Sequence, residues 1–403
     1  MSKWGRVIQV LIGVVVTLGV HAAWAAEQGA TRSLPEIKKE VQTRAEKNRY
    51  PAFGLKPDDV RETLARINTT APDEWGTEWM KTGDRYFAKA KADESVNPDA
   101  ARDDYLMAYR YYMFGRWPVP SSQKKAESYA KSMTAYEKYV GLEKKLGIEV
   151  VRIPFEGKEI IGLLQKPLGP GKPPILVNIS GVDFWKEDML SASQALVDNG
   201  VATFNLDMPG TGQAPLPLKP GSERIFSAAI DYLLTRSDLD GSRIVVRGIS
   251  FGSYWALRAG YREPVRLKGI VYHSAPVHNY FQREWVEKKG LVSSYYLFDY
   301  VQSRLFITGT KTVEELLDFM PSLSLVTEGL VSKPTPPMLI VAGVKDPQAP
   351  WVDALILLEN GSPKEAWVNP AGTHMGRTAT FDEEAIMDQV VHPWIFRQLG
   401  IAK

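Results

Sequence analysis

The sequence predicts an α/β architecture: a mainly parallel central sheet with helices on both faces, preceded by a helical N-terminal domain. Three observations predict it. After Gly147, short β-rich runs alternate with helical segments. The central runs ILVNI, VATFNL, IVVRGI and GIVYH are almost continuously apolar, the pattern of strands buried on both faces. Before Gly147 the apolar residues recur at helical spacing instead.

The elements follow in order. Lys3 and Arg6 precede an apolar stretch, Val7 to Val20, and then Ala23-Trp24-Ala25, an A-x-A cleavage site. The pattern predicts a signal peptide over 1–25, cleaved after Ala25. The stretch is short for a membrane span, which takes ~20 apolar residues, so no stable anchor is expected after processing. Residues 26–146 form the expected helical cap domain, with about five helices over 36–143. Asn97 before Pro98 reads as an N-cap, and Ser121 as the cap of the next helix. No 34-residue period supports tetratricopeptide repeats.

The catalytic domain is expected over 147–403. Ile148–Pro154 and Glu159–Gln165 predict an opening hairpin. Strands are then expected at Pro174–Ile179, Val201–Leu206, Arg243–Gly248, Lys268–His273, Met338–Ala342 and Glu365–Asn369. Helices fall between them at 187–199, 222–236, 252–262 and 350–360, with a last one at 382–398. The long interval between His273 and Met338 is rich in Tyr, Phe, Trp and Leu. A structureless loop of that length is implausible. Residues 277–332 are therefore expected to be a second, helical part of the cover.

Composition narrows the function. Apolar residues at 44% and charged residues at 24% supply an ordinary folded core. Lys+Arg number 49 and Asp+Glu 47; losing Lys3 and Arg6 leaves no basic excess for nucleic acid. The absence of cysteine excludes disulfides, thiolate metal sites and a cysteine nucleophile. Export without disulfides fits a periplasm or secretion beyond it.

Gly248-Ile249-Ser250-Phe251-Gly252 is a G-x-S-x-G elbow between an apolar strand and a helical segment. There the glycines let backbone crowd together while Ser250 projects its hydroxyl. That hydroxyl requires a base. His374 lies just after the last strand; His273 reads as a core histidine, His278 as a substrate contact and His392 as a helix residue. Asp346 follows MLIVAG, with Asp353 as a rival on a helix. Ser250, Asp346 and His374 thus occur in the order that an α/β-hydrolase fold demands. The backbone N–H groups of Phe251 and Val182 are the expected oxyanion donors. Asp183 is either a substrate contact or a loop cap. Asp207-Met208-Pro209-Gly210-Thr211-Gly212 reads as a structural turn, and no metal-ligand pattern appears.

An ordered set of motifs extends beyond the elbow. Tyr111-Tyr112, Arg116-Trp117-Pro118, Ile153-Pro154-Phe155-Glu156-Gly157, Ser180-Gly181-Val182-Asp183 and the 207–212 turn precede it. From about Trp79 to His374 the chain resembles the FrsA-like serine hydrolases of the α/β-hydrolase superfamily. The resemblance implies a helical cap on a hydrolase domain, a Ser-Asp-His triad and no cofactor. It also implies cleavage of esters or of the C–C bond of β-diketone-like substrates, and dimers in several members. Its C–C hydrolases use an extra acid in the covering segment, for which Glu284 is the nearest residue. Ser253 and Ser180 depart from positions where glycine is usual.

The expected function is an exported carboxylic-ester hydrolase acting through an acyl-enzyme on a small aromatic or polyketide-like substrate. C–C bond hydrolysis is the alternative, and a non-catalytic helical binding module the third. The aromatic cover is expected to draw on Trp75, Trp79, Tyr111, Tyr112 and Trp117, and on Tyr280, Phe281, Trp285, Tyr295 and Tyr296. More than half of these are expected to fill the cover's own core.

Overall fold

The computed structural model describes residues 32–291, 296–361 and 364–401. The expected signal segment and Tyr295 lie outside them. Five helices come first: α1 (Leu34–Glu46), α2 (Pro57–Arg66), α3 (Pro72–Asp93), α4 (Pro98–Arg116) and α5 (Gln123–Leu142). Pro35, Pro57, Pro72 and Pro98 sit in the first turns of α1–α4, where a missing N–H costs nothing. Asn97 caps α4, accepting from the Ala100 N–H. The cap of α5 is Ser122, one residue after the expected Ser121, because its side chain faces the Lys125 N–H.

An eight-stranded sheet follows, in the order β1-β2-β4-β3-β5-β6-β7-β8. Its strands are β1 (Ile148–Phe155), β2 (Lys158–Gln165), β3 (Ile175–Ile179), β4 (Ala202–Leu206), β5 (Ile244–Gly248), β6 (Gly269–His273), β7 (Met338–Gly343) and β8 (Lys364–Asn369). β1–β2 and β2–β4 pair antiparallel and every other pair is parallel. Glu156 and Gly157, both at positive φ, make the turn of the opening hairpin.

Strand alternation assigns the two faces. Leu176, Val245, Val271 and Leu339 face α6 (Leu190–Asp198) and the C-terminal helical segment 383–398. Their neighbours Val177, Val246, Ile270 and Ile340 face α7 (Arg224–Thr235), α8 (Gly252–Arg262) and α11 (Val352–Glu359). The order reverses at β3, which lies between β4 and β5. Loops leaving the C-terminal ends of β3 and β5 therefore diverge and open a crevice, the usual ligand position in such sheets.

Between β6 and β7 the chain forms short helical turns, then α9 (Tyr300–Thr308) and α10 (Val313–Phe319). This insertion shares one apolar core with the N-terminal helices: Tyr296, Leu297, Phe298 and Tyr300 pack with Trp75, Trp79 and Trp117. The wholly buried Lys125 on α5 pairs with Asp299 at 2.8 Å. Arg116 stacks on Trp185, 3.6 Å from its ring centroid, and donates to the Asp183 carbonyl at 3.0 Å. No described helix is long and apolar enough to cross a membrane.

Candidate active site

Ser250 stands at the end of β5 with φ of 51°, a left-handed conformation that costs a non-glycine residue energy. A Cβ on Gly248 would overlap the Gly252 and Ser253 backbone, and one on Gly252 the carbonyls of Ile179 and Ser180. The glycines thus set how closely β3, β5 and α8 meet. Ser253 adds a clamp, donating to the Gly248 carbonyl at 2.7 Å and accepting the His273 N–H at 3.0 Å. Ser180 accepts the Met208 N–H at 3.1 Å, tying the loops after β3 and β4. In the 207–212 turn, Asp207 accepts from buried Lys186 and from the Gln213 N–H.

The structure brings Ser250, His374 and Asp346 together. The Ser250 Oγ is 2.8 Å from His374 Nε2, and His374 Nδ1 is 2.8 Å from Asp346 Oδ2. The N–H groups of Gln348 and Ala349 donate to Asp346 Oδ1 at 2.7 and 3.0 Å, fixing the carboxylate's orientation. A Cβ on Gly343 would meet the Gly372 and Thr373 carbonyls, so this glycine lets the Asp346 and His374 loops lie together. The rival Asp353 is wholly buried and accepts from the N–H groups of Val277, His278 and Asn279, which gives it a structural task. His273 is also buried; burial holds its pKa well below the usual histidine range, and it meets the Met375 carbonyl at 3.0 Å.

Among the described residues, the N–H groups of Phe251 and Val182 have no hydrogen-bond acceptor. Both residues line the cavity beside Ser250, and a Cβ on Gly181 would crowd the Ile249 carbonyl. The cavity holds about 590 Å³. Its aromatic wall comes from Tyr50, Phe53, Phe184, Phe251, Tyr280 and Tyr296. Asp183 also lines it, and its Oδ2 accepts the Tyr50 hydroxyl at 2.5 Å. Burial, then the charge of Asp183, holds the Tyr50 hydroxyl well above its ordinary pKa.

Two expected contacts are corrected. His278 does not line the cavity; its Nδ1 is 2.7 Å from the Ser324 Oγ, within the insertion's own packing. Glu284 points to solvent and pairs with Lys288. Both lie in the covering segment, but His278 is held by Asp353 and Ser324, and the chain turns away from the cavity after Tyr280, before Glu284. Several of the expected cover aromatics are likewise remote from Ser250: Trp75, Trp79 and Tyr111 fill the helical core, and Tyr112 packs with Met80 and Tyr105. Phe281 packs edge-on against Phe251 and Trp285 lies against Tyr280. Trp117 donates to the Tyr50 hydroxyl at 2.9 Å. Tyr50, Phe53, Phe184, Arg247 and Arg304 are among the cavity residues that the sequence did not single out, as are Arg377, Glu383, Glu384 and Asp388. Buried Arg247, whose pKa is pulled to about 10 by burial, was visible as a charge inside the apolar run IVVRGI.

Comparison with known proteins decides the family. The model of the family described as "Esterase FrsA-like" matches residues 57–369. The chain belongs to the FrsA-like esterase family. Among curated relatives, the α/β hydrolase psoB of Aspergillus fumigatus is 26% identical, over 88% of this chain and 91% of its own. Esterase FrsA of Photobacterium profundum is 24% identical, over 72% and 70%. The crystal structure of 2,6-dihydroxy-pseudo-oxynicotine hydrolase has a TM-score of 0.69 at 20% identity, covering 86% of this chain and 93% of that one. AbyA5 has a TM-score of 0.69 at 21% identity, covering 92% and 96%. Both share the α/β-hydrolase fold. The FrsA-like chain is thus a hydrolase of the esterase family.

Proposed function

We propose that the protein is an exported carboxylic-ester hydrolase in which Ser250 forms an acyl-enzyme. The observation that carries the reading is the unbroken Ser250–His374–Asp346 hydrogen-bond chain, at 2.8 Å in each step, ending beside two unpaired N–H groups. His374 Nε2 takes the hydroxyl proton as Ser250 Oγ attacks the ester carbonyl. Asp346 holds the Nδ1–H tautomer and stabilises the imidazolium. The N–H groups of Phe251 and Val182 receive the developing oxyanion. His374 then gives its proton to the departing alkoxide, and water attacks the acyl-enzyme by the same route in reverse.

The aromatic wall favours a small aryl or polyketide-like ester over a long triglyceride. The outward position of Glu284 supports ester cleavage over C–C cleavage: Tyr280, Tyr296 and Arg304, the insertion's described residues in the wall, include no acid. Export rests on the N-terminal pattern, and sequencing the secreted chain should find Ala26 first. Purified protein should turn over aryl esters and take a fluorophosphonate label at Ser250. Ser250→Ala should lose both; near-normal turnover in that variant refutes the mechanism.

A further inference from the structure

Buried cations in this chain generally have an acid beside them. Lys186 pairs with Asp207 and Glu187, Lys125 with Asp299, and Arg258 with Glu223 and Glu328. Arg304 does not, among the described residues. It projects from α9 into the wall of the cavity that holds Ser250, and is only 6% exposed. Its Nη1 donates to the Ser303 Oγ at 3.1 Å, while its Nε meets no acceptor. The guanidinium lies over the Tyr300 ring at 4.3 Å and the Tyr296 ring at 5.5 Å. Burial keeps both phenols protonated, so they orient the cation without neutralising it.

A guanidinium stays charged, and an unpaired buried charge is costly unless an anion reaches it. Asp183, in the same cavity, already accepts the Tyr50 hydroxyl. Arg247 is a second buried guanidinium in the wall, but it donates to Asn178 at 3.3 Å and feels the charge of Glu383. The Nε of Arg247, like that of Arg304, meets no acceptor, and Arg304 also shares a hydrogen bond with the Tyr296 hydroxyl. Of the two, Arg304 is the guanidinium with no acid acting on it among the described residues, and it stands among aromatic rings.

We propose that Arg304 receives a carboxylate of the substrate, so that the ester this enzyme cleaves is an aromatic half-ester. The inference rests on the esterase reading. The guanidinium fork takes both carboxylate oxygens, Tyr280 and Tyr296 flank the ring, and the ester carbonyl lies at Ser250.

The test compares monomethyl with dimethyl terephthalate. The half-ester should be the better substrate. Arg304→Met should lower its kcat/KM about 100-fold, mainly through KM, and change the diester less than about threefold. Arg304→Lys keeps charge without the fork and should recover part of the loss. Terephthalate binding to the Ser250→Ala enzyme, measured by calorimetry, reads the anion site without turnover and should weaken at least tenfold when Arg304→Met is added. Equal losses on both esters, or a preference for ammonium-bearing esters that is lost in Asp183→Asn, would overturn the proposal. If no ester is cleaved but terephthalate still binds through Arg304, the esterase reading fails and the anion site stands. If esters are cleaved and Arg304→Met alters neither measurement, the anion site fails alone.

Discussion

The sheet side and the cover side of the cavity hold their residues by different means. Around Ser250, position is fixed by backbone: glycines that admit close approach, N–H groups that grip Asp346, and serine hydroxyls that clamp neighbouring loops. On the cover side, rings pack on rings, and two buried cations, Lys125 and Arg116, join the N-terminal helices to the rest. Backbone-built geometry tolerates little displacement, which suits bond making. Side-chain-built walls can change their lining while the core behind them stays, which suits selectivity.

The largest expected effect breaks the sheet side. Ser250→Ala and His374→Ala should each lower kcat by roughly 10⁴-fold or more, and the double variant should cost little extra, because the residues act as a unit. Additive losses in steady-state kinetics would show that His374 works apart from Ser250. A smaller effect should follow on the cover side. Asp299→Asn keeps a residue that tolerates the left-handed φ of 56° but strips buried Lys125 of its partner. Urea unfolding should show a loss of about 3–5 kcal/mol, largely recovered in the Lys125→Met/Asp299→Asn double variant. An unchanged midpoint would mean that this joint carries no load.

The smallest effect concerns the charged loops that follow the central strands β3 and β4. Glu187 is wholly buried; burial raises its carboxyl pKa despite the attraction of Lys186. Its folded pKa lies above the unfolded one, so the folded chain holds the extra proton. The resulting stability is complete below the unfolded pKa and is lost as pH rises through the folded value near 7. Melting curves across that window should fall more steeply for wild type than for Glu187→Gln, by up to about 1.4 kcal/mol per pH unit. Parallel curves would assign Glu187 an ordinary, ionised state.

The sheet was legible because burial on both faces writes itself locally, as in ILVNI and IVVRGI. The elbow was legible for the same reason: Gly248, Ser250 and Gly252 are neighbours, and the loops carrying Asp346 and His374 each follow a readable strand. The cavity wall was not. Tyr50, Phe184 and Arg304 come from three distant segments, and nothing near any of them records the meeting. His278 and Glu284 show the converse: both lie in the covering segment, yet Ser324 holds the His278 ring and Glu284 pairs with Lys288 at the surface.

The core shared by Trp75, Trp79 and Trp117 with Tyr296 and Phe298 has a consequence for engineering. The roof of the cavity is encoded in two pieces, separated in sequence by the strands through β6. Recombining homologues at the junction before β1 would carry over one half of the interlocking aromatics and leave the other behind. A new roof can be installed only by transplanting both pieces from a single parent. Libraries that vary substrate range should keep the two pieces linked, or vary only the inward-facing side chains Tyr50, Phe53, Tyr280 and Arg304.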